Sequence, residues 1–167
     1  MKKILIICVF LILATSIITG CNNNTTAYSG SAIIQEGKSY KAKTLNEFKT
    51  HMEKNGFTIE DMFSRYNVRL ANGVLMAKKG ELEITFFDLL DSDIARSSFY
   101  YTRMNFRQAS GFSNSIKHYN SINYERHSLE SGGRYMLVAR INNTLLYVNC
   151  ESKLKNEAID IFQELGY

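Results

Sequence analysis

The sequence predicts an α+β fold, an antiparallel β-sheet packed by helices on one face. Extended runs separated by short Gly- and Asn-bearing turns mark hairpins. Other segments repeat their apolar residues every three or four positions, as amphipathic helices do. The two kinds of segment come in the order helix, strands, helix, three strands, helix, without the one-to-one alternation of a parallel sheet. That order also reads as two helix-plus-strands repeats, in elements though not in residues.

Thr44-Leu45-Asn46-Glu47 has the form of a capping box, followed by Leu45, Phe48 and Met52 at helical spacing and by Asn55-Gly56 as a stop. Residues 57–66 carry conflicting signals and are taken as a strand, because Phe57 and Ile59 alternate. Val74-Leu75-Met76-Ala77, a turn at Lys78-Lys79-Gly80, and Leu82, Ile84 and Phe86 alternating with polar residues predict a hairpin. Asp91 and Ser92 are N-cap residues for a helix to about Gln108, with Ala95, Phe99 and Phe106 on one face and Arg96, Arg103 and Arg107 elsewhere. Residues 109–119, rich in Ser, Gly and Asn, read as a loop. Three strands follow at 122–129, 134–141 and 144–150. Ser131-Gly132-Gly133 joins the first two, and Asn142-Asn143 joins the second pair through a two-residue turn that needs positive φ at both residues. Leu154, Ala158, Ile161 and Leu165 recur at helical spacing behind Ser152, and Gly166 closes that helix.

Ahead of this domain stands a targeting segment. Lys2 and Lys3 precede an apolar run at residues 4–14, a length that suits a signal peptide and falls short of a membrane span. Ile18-Thr19-Gly20-Cys21 then resembles the lipobox of bacterial lipoproteins: an aliphatic residue, a small residue, Gly or Ala, and Cys. The resemblance covers residues 1–21 only. It implies cleavage between Gly20 and Cys21 and a diacylglycerol on the Cys21 thiol, and so a domain anchored at the extracytoplasmic face of the cell membrane. Residues 1–20 are then the signal peptide, 21–31 a lipidated polar tether, and 32–167 one α+β domain.

Of the 167 residues, 45% are apolar and 22% charged, a globular composition. The net charge of +4 includes Lys2 and Lys3, too small a surplus to argue for nucleic acid. Cys8 leaves with the signal and Cys21 is committed to lipid, so Cys150 has no disulfide partner and reads as a buried structural residue.

Catalytic constellations are missing from the pattern. His51, His118 and His127 have no metal-ligand spacing, and no cofactor fingerprint occurs. Ser110-Gly111-Phe112-Ser113 lacks the flanking glycines of a nucleophile elbow. Asp88, Asp91 and Asp93 form an acidic cluster, which helix capping explains more simply than acid–base catalysis or a bound calcium ion. The feature that points to binding is a Tyr- and Arg-rich stretch, with Tyr100, Tyr101, Arg103, Tyr119, Tyr124 and Arg126 as the expected surface, since these types dominate binding hot spots. The expectation is a non-catalytic binding module for an envelope protein or a glycan. The alternatives are a small envelope enzyme using the Asp cluster and a His, and an inhibitor or immunity-type lipoprotein.

Overall fold

A computed structural model describes the backbone of residues 33–34, 39–66, 69–110 and 115–167, and the side chains of 39–66, 69–106 and 120–167. Gly20, Cys21 and the segments expected to be signal peptide (1–20) and tether (21–31), along with Gly111, Phe112 and Ser113, lie outside the described residues, as do the side chains of Ser110, His118 and Tyr119.

The chain from Ser31 to Tyr167 forms one compact unit. Its elements are β1 (Ile33–Ile34), α1 (Leu45–Lys54), β2 (Thr58–Asp61), β3 (Ala71–Lys79), β4 (Leu82–Leu89), α2 (Ser92–Ser110), β5 (Ser115–Asn120), β6 (Tyr124–Ser131), β7 (Arg134–Ile141), β8 (Thr144–Glu151) and α3 (Lys155–Glu164). Among the described residues these make an eight-stranded sheet in the order β1-β5-β6-β7-β8-β4-β3-β2. All pairings are antiparallel except β1 with β5. The α+β class holds.

The distribution of helices differs from the one-sided cover predicted. On one face, Phe48 and Met52 of α1 and Ala158, Ile161 and Phe162 of α3 share a core with Ile84, Phe86, Leu137, Ala139, Leu146 and Val148. The opposite face is covered by α2, whose Phe106 packs against His127 and Tyr147. Seven of the eight residues of β7 are buried, as a strand must be when both its faces are covered. The strand meanders β2-β3-β4 and β6-β7-β8 do repeat and meet through β4 and β8, where Phe86 pairs with Leu146. Their preceding helices do not repeat: α1 and α2 lie on opposite faces, and β5 has no counterpart.

Local chemistry explains most boundaries. Thr44 and Glu47 form the capping box, with Glu47 N donating to Thr44 Oγ1 at 3.2 Å and Thr44 N donating to Glu47 Oε2 at 2.8 Å. Those bonds hold the Glu47 carboxyl below its usual range. Residues 57–66 are only in part a strand. Asp61 Oδ1 accepts from Phe63 N at 2.8 Å and turns the chain into a single 3₁₀ turn, Phe63–Arg65. The β3–β4 turn is Gly80-Glu81 and not Lys78-Lys79-Gly80, because Lys78 stays in the ladder opposite Glu83 and pairs with it. Gly80 takes the left-handed φ of +59° that this turn requires.

Asp91 caps α2, its Oδ1 accepting from Asp93 N at 2.9 Å and Ile94 N at 2.8 Å. The segment predicted as a loop after α2 contains β5, whose register places His118 opposite His127. Strand β6 starts at Tyr124 and not at Ile122, since Ser121 N turns back to Tyr124 O at 2.8 Å. Of the Asn142-Asn143 pair only Asn142 has positive φ, 51°. Asn143 instead donates from Nδ2 to Asp88 Oδ1 and Leu89 O, both at 2.9 Å. At the far end, Ser152 opens a 3₁₀ turn ahead of α3 without acting as its side-chain cap. Gly166 N to Gln163 O and Tyr167 N to Phe162 O then close α3 as a Schellman motif.

Tyr167 folds back under the sheet, its hydroxyl bonded to Thr144 Oγ1. Burial pushes the phenol well above its ordinary pKa. For an acid whose folded pKa is raised, the stabilisation is complete below the unfolded value of about 10 and is lost as pH climbs from there towards the folded value. Tyr167→Phe is therefore expected to cost ~1 kcal/mol at pH 7 for the lost hydrogen bond. It should also flatten the fall in stability between pH 9 and 11, read from urea unfolding across that range. Tyr147, raised by burial on the other face, keeps part of that fall in place.

Candidate interaction surface

Of the six residues expected to form one binding surface, the five whose side chains are described are divided by the sheet. Tyr100 and Tyr101 stand on α2 with 54% and 52% of their surface exposed. Their rings meet edge to face, centroids 5.9 Å apart. Arg103 is half-buried on the same helix. Tyr124 instead belongs to the core on the opposite face, stacked on Tyr40 with centroids 4.3 Å apart. Arg126 is two residues further along β6, so the alternation of a strand puts it on Tyr124's face, away from His127 and α2. The backbone of Tyr119 lies opposite Arg126 in β5. Tyr124 is thus a packing residue, and among the described side chains the exposed aromatic surface lies on α2.

That helix is aromatic on two sides. Ala95, Phe99 and Phe106 face the sheet, as their spacing predicts. Met104, 37% exposed, is one turn on from Tyr100 and three residues after Tyr101, and completes an outer patch the core does not require. Sequence reasoning missed Met104, although its i+4 relation to Tyr100 was the available signal. Arg96, one turn earlier, reaches Asp93 at 4.0 Å with both side chains well exposed, so its charge stays close to water. Among the described side chains the arrangement offers aromatic area with polar tips.

The acidic cluster is taken up by structure. Asp91 caps α2, Asp88 accepts from Asn143, and Asp93 lies in the first turn of α2. No His joins them among the described side chains: His51 bonds Glu164 Oε2 at 3.1 Å at the end of α1, and His127 is buried beneath Phe106. Among the described residues no group of His, Cys, Asp and Glu is placed to hold a metal ion. Cys150 is buried, and burial pushes its thiol up, which favours the unreactive protonated form.

No protein-family model and no curated protein matches the chain. Among solved structures, a GTP binding regulator from Thermotoga maritima is similar at a TM-score of 0.46 and 10% identity, over 74% of this chain and 88% of that one. No residue role is carried across from it. Among the described residues no helix is long and apolar enough to cross a membrane.

Proposed function

We propose that the protein is a bacterial lipoprotein, anchored through a diacylglycerol on Cys21 at the extracytoplasmic face of the cell membrane. Its folded domain is a non-catalytic binding module for an envelope protein or glycan. The observation that carries the anchoring is the ordered set Lys2-Lys3, the apolar run 4–14 and Ile18-Thr19-Gly20-Cys21. Acyl chains worth about 0.8 kcal/mol per buried CH₂ hold such a domain without a spanning helix. The binding part is supported by Tyr100, Tyr101 and Met104, exposed together on a helix whose inner face already fills the core.

The test is Cys21→Ser in the full chain. The variant is expected to lose metabolic lipid labelling and membrane retention while its circular dichroism stays that of the wild type; a variant still retained sinks the anchoring. For the binding part, a photo-crosslinking residue at Tyr101 should trap an envelope component of discrete mass, and one at the exposed Asn156 of α3 should not. Equal trapping at both positions, or hydrolytic turnover lost on Asp88→Ala, would count against a binding module on α2.

A further inference from the structure

We infer that the turn carrying Ile122 is the corner of the domain that sits in the headgroup layer of the bilayer, with Lys41 beside it facing anionic lipid. This rests on the reading that Cys21 carries the lipid.

Ile122 has 84% of its surface exposed, the largest share of any big apolar side chain among the described residues. A scattered exposed aliphatic needs no explanation. This one is held out on a braced turn. Ser121 N donates to Tyr124 O at 2.8 Å, and Asn142 N donates to Asn123 O at 3.0 Å. The Asn123 side chain clasps Tyr40, donating from Nδ2 to Tyr40 O at 2.7 Å and accepting at Oδ1 from Tyr40 N at 3.1 Å.

The path of the chain supplies the occupant. Ile34 pairs with Asn120, two residues before Ile122, so the segment arriving from Cys21 joins the sheet at this corner. Cys21 and Ile33 are 12 positions apart along the chain, with mostly polar residues between them. At no more than about 3.3–3.6 Å per residue this connection reaches at most about 40 Å, whatever its conformation. A lipid on Cys21 therefore keeps this corner within that reach of the headgroups, so a weak contact is enough to orient the domain.

Charge favours the same corner. Lys41 is exposed next to the clasped Tyr40; the Glu47 carboxylate that feels its charge is engaged by Thr44 N in the capping box, and Glu125 on β6 is bound by Arg140. At the other end of the sheet, Glu81 and Glu151 lie about Lys153. Leu90, 50% exposed, shares Ile122's end of the sheet but stands beside Asp91 and Asp93. It lies past the end of β4, three strand spacings or about 14 Å from β6. The corner at Ile122 is thus immersed more deeply than that at Leu90.

The experiment uses the full-length lipidated protein in vesicles of phosphatidylglycerol and phosphatidylethanolamine. Nitroxide labels are placed by Ile122→Cys, Leu90→Cys or Glu81→Cys, and Cys150 is buried from the reagent. Collision with a water-soluble nickel chelate is expected to be several-fold lower at position 122 than at 81, with 90 between them. Equal collision at 122 and 81 overturns the inference, as does dipolar broadening at 122 that reveals a second copy there. The mass of the N-terminal peptide from the same sample separates the two readings. A peptide without diacylglycerol removes the lipoprotein reading and this inference with it, whereas a lipidated protein with a water-exposed label at 122 overturns the inference alone.

Discussion

Phe86→Ala is expected to lower the unfolding free energy by ~3–5 kcal/mol, the usual range when a buried aromatic is truncated. Phe86 is fully buried in β4 and stacks on Phe48 of α1, with ring centroids 4.9 Å apart. Its cross-strand neighbours are Leu75 in β3 and Leu146 in β8, so it sits where the two strand meanders join. The loss should be near the upper end because the cavity has little means to collapse. Ladders on both sides fix the backbone of β4, and α1 is pinned at its start by the capping box. Urea unfolding followed by circular dichroism measures it, with an unchanged m-value showing that the denatured state is not the cause. Tyr101→Ala is the contrast. Its ring is half in water, so the change should stay within about 0.5 kcal/mol. A Phe86→Ala loss below about 1.5 kcal/mol would mean that α1 moves in to fill the gap.

The hairpins were legible because their turns are written in residue types with one physical use. Gly132-Gly133 supplies positive φ twice, and β6 and β7 close on it in the register that the flanking residues imply. Strand β5 was not legible. Its sequence, Ser-Ile-Lys-His-Tyr-Asn, has the composition of a loop, and its pairing with β6 is set by residues up to 15 positions away. The two-sided cover of the sheet did have a signal. Residues 135–139, Tyr-Met-Leu-Val-Ala, form an unbroken apolar run, and such a run asks for burial on both faces where alternation asks for one. For the candidate surface, Tyr100 and Tyr101 could be separated from Phe99 and Phe106 by helical phase. Tyr124 could not be separated from a surface residue, because its partner Tyr40 is 84 positions earlier.

Glu125→Leu alone is expected to cost ~3 kcal/mol, and Glu125→Leu with Arg140→Met is expected to recover most of that loss. Arg140 has 3% of its side chain exposed; its Nε reaches Glu125 Oε2 at 2.7 Å, and its Nη1 donates to Asn142 O at 3.0 Å. The two residues are directly opposite in the β6–β7 ladder. Removing the carboxylate leaves an enclosed guanidinium with its hydrogen bond to Asn142 O and no counter-charge from Glu125, and that unpaired charge is the source of the penalty. Removing both leaves a Leu and a Met of similar volume, with no charge to desolvate. The non-additivity of the double variant, measured by chemical unfolding of all four proteins, isolates the pair. The outer ion pairs are a fair control, since Lys153 with Glu81 has both side chains more than half exposed and should be worth less than about 1 kcal/mol. If Glu125→Leu costs no more than that control, Arg140 is solvated where it lies and the pair does not hold this end of the sheet. If the expected loss is found, the same substitution should loosen the turns at Asn142 and Ile122, because Arg140 braces the first and Glu125 stands just beyond the second. Faster amide exchange at Asn142 and Ser121, whose N–H groups bond to Asn123 O and Tyr124 O, is the local signature of that coupling.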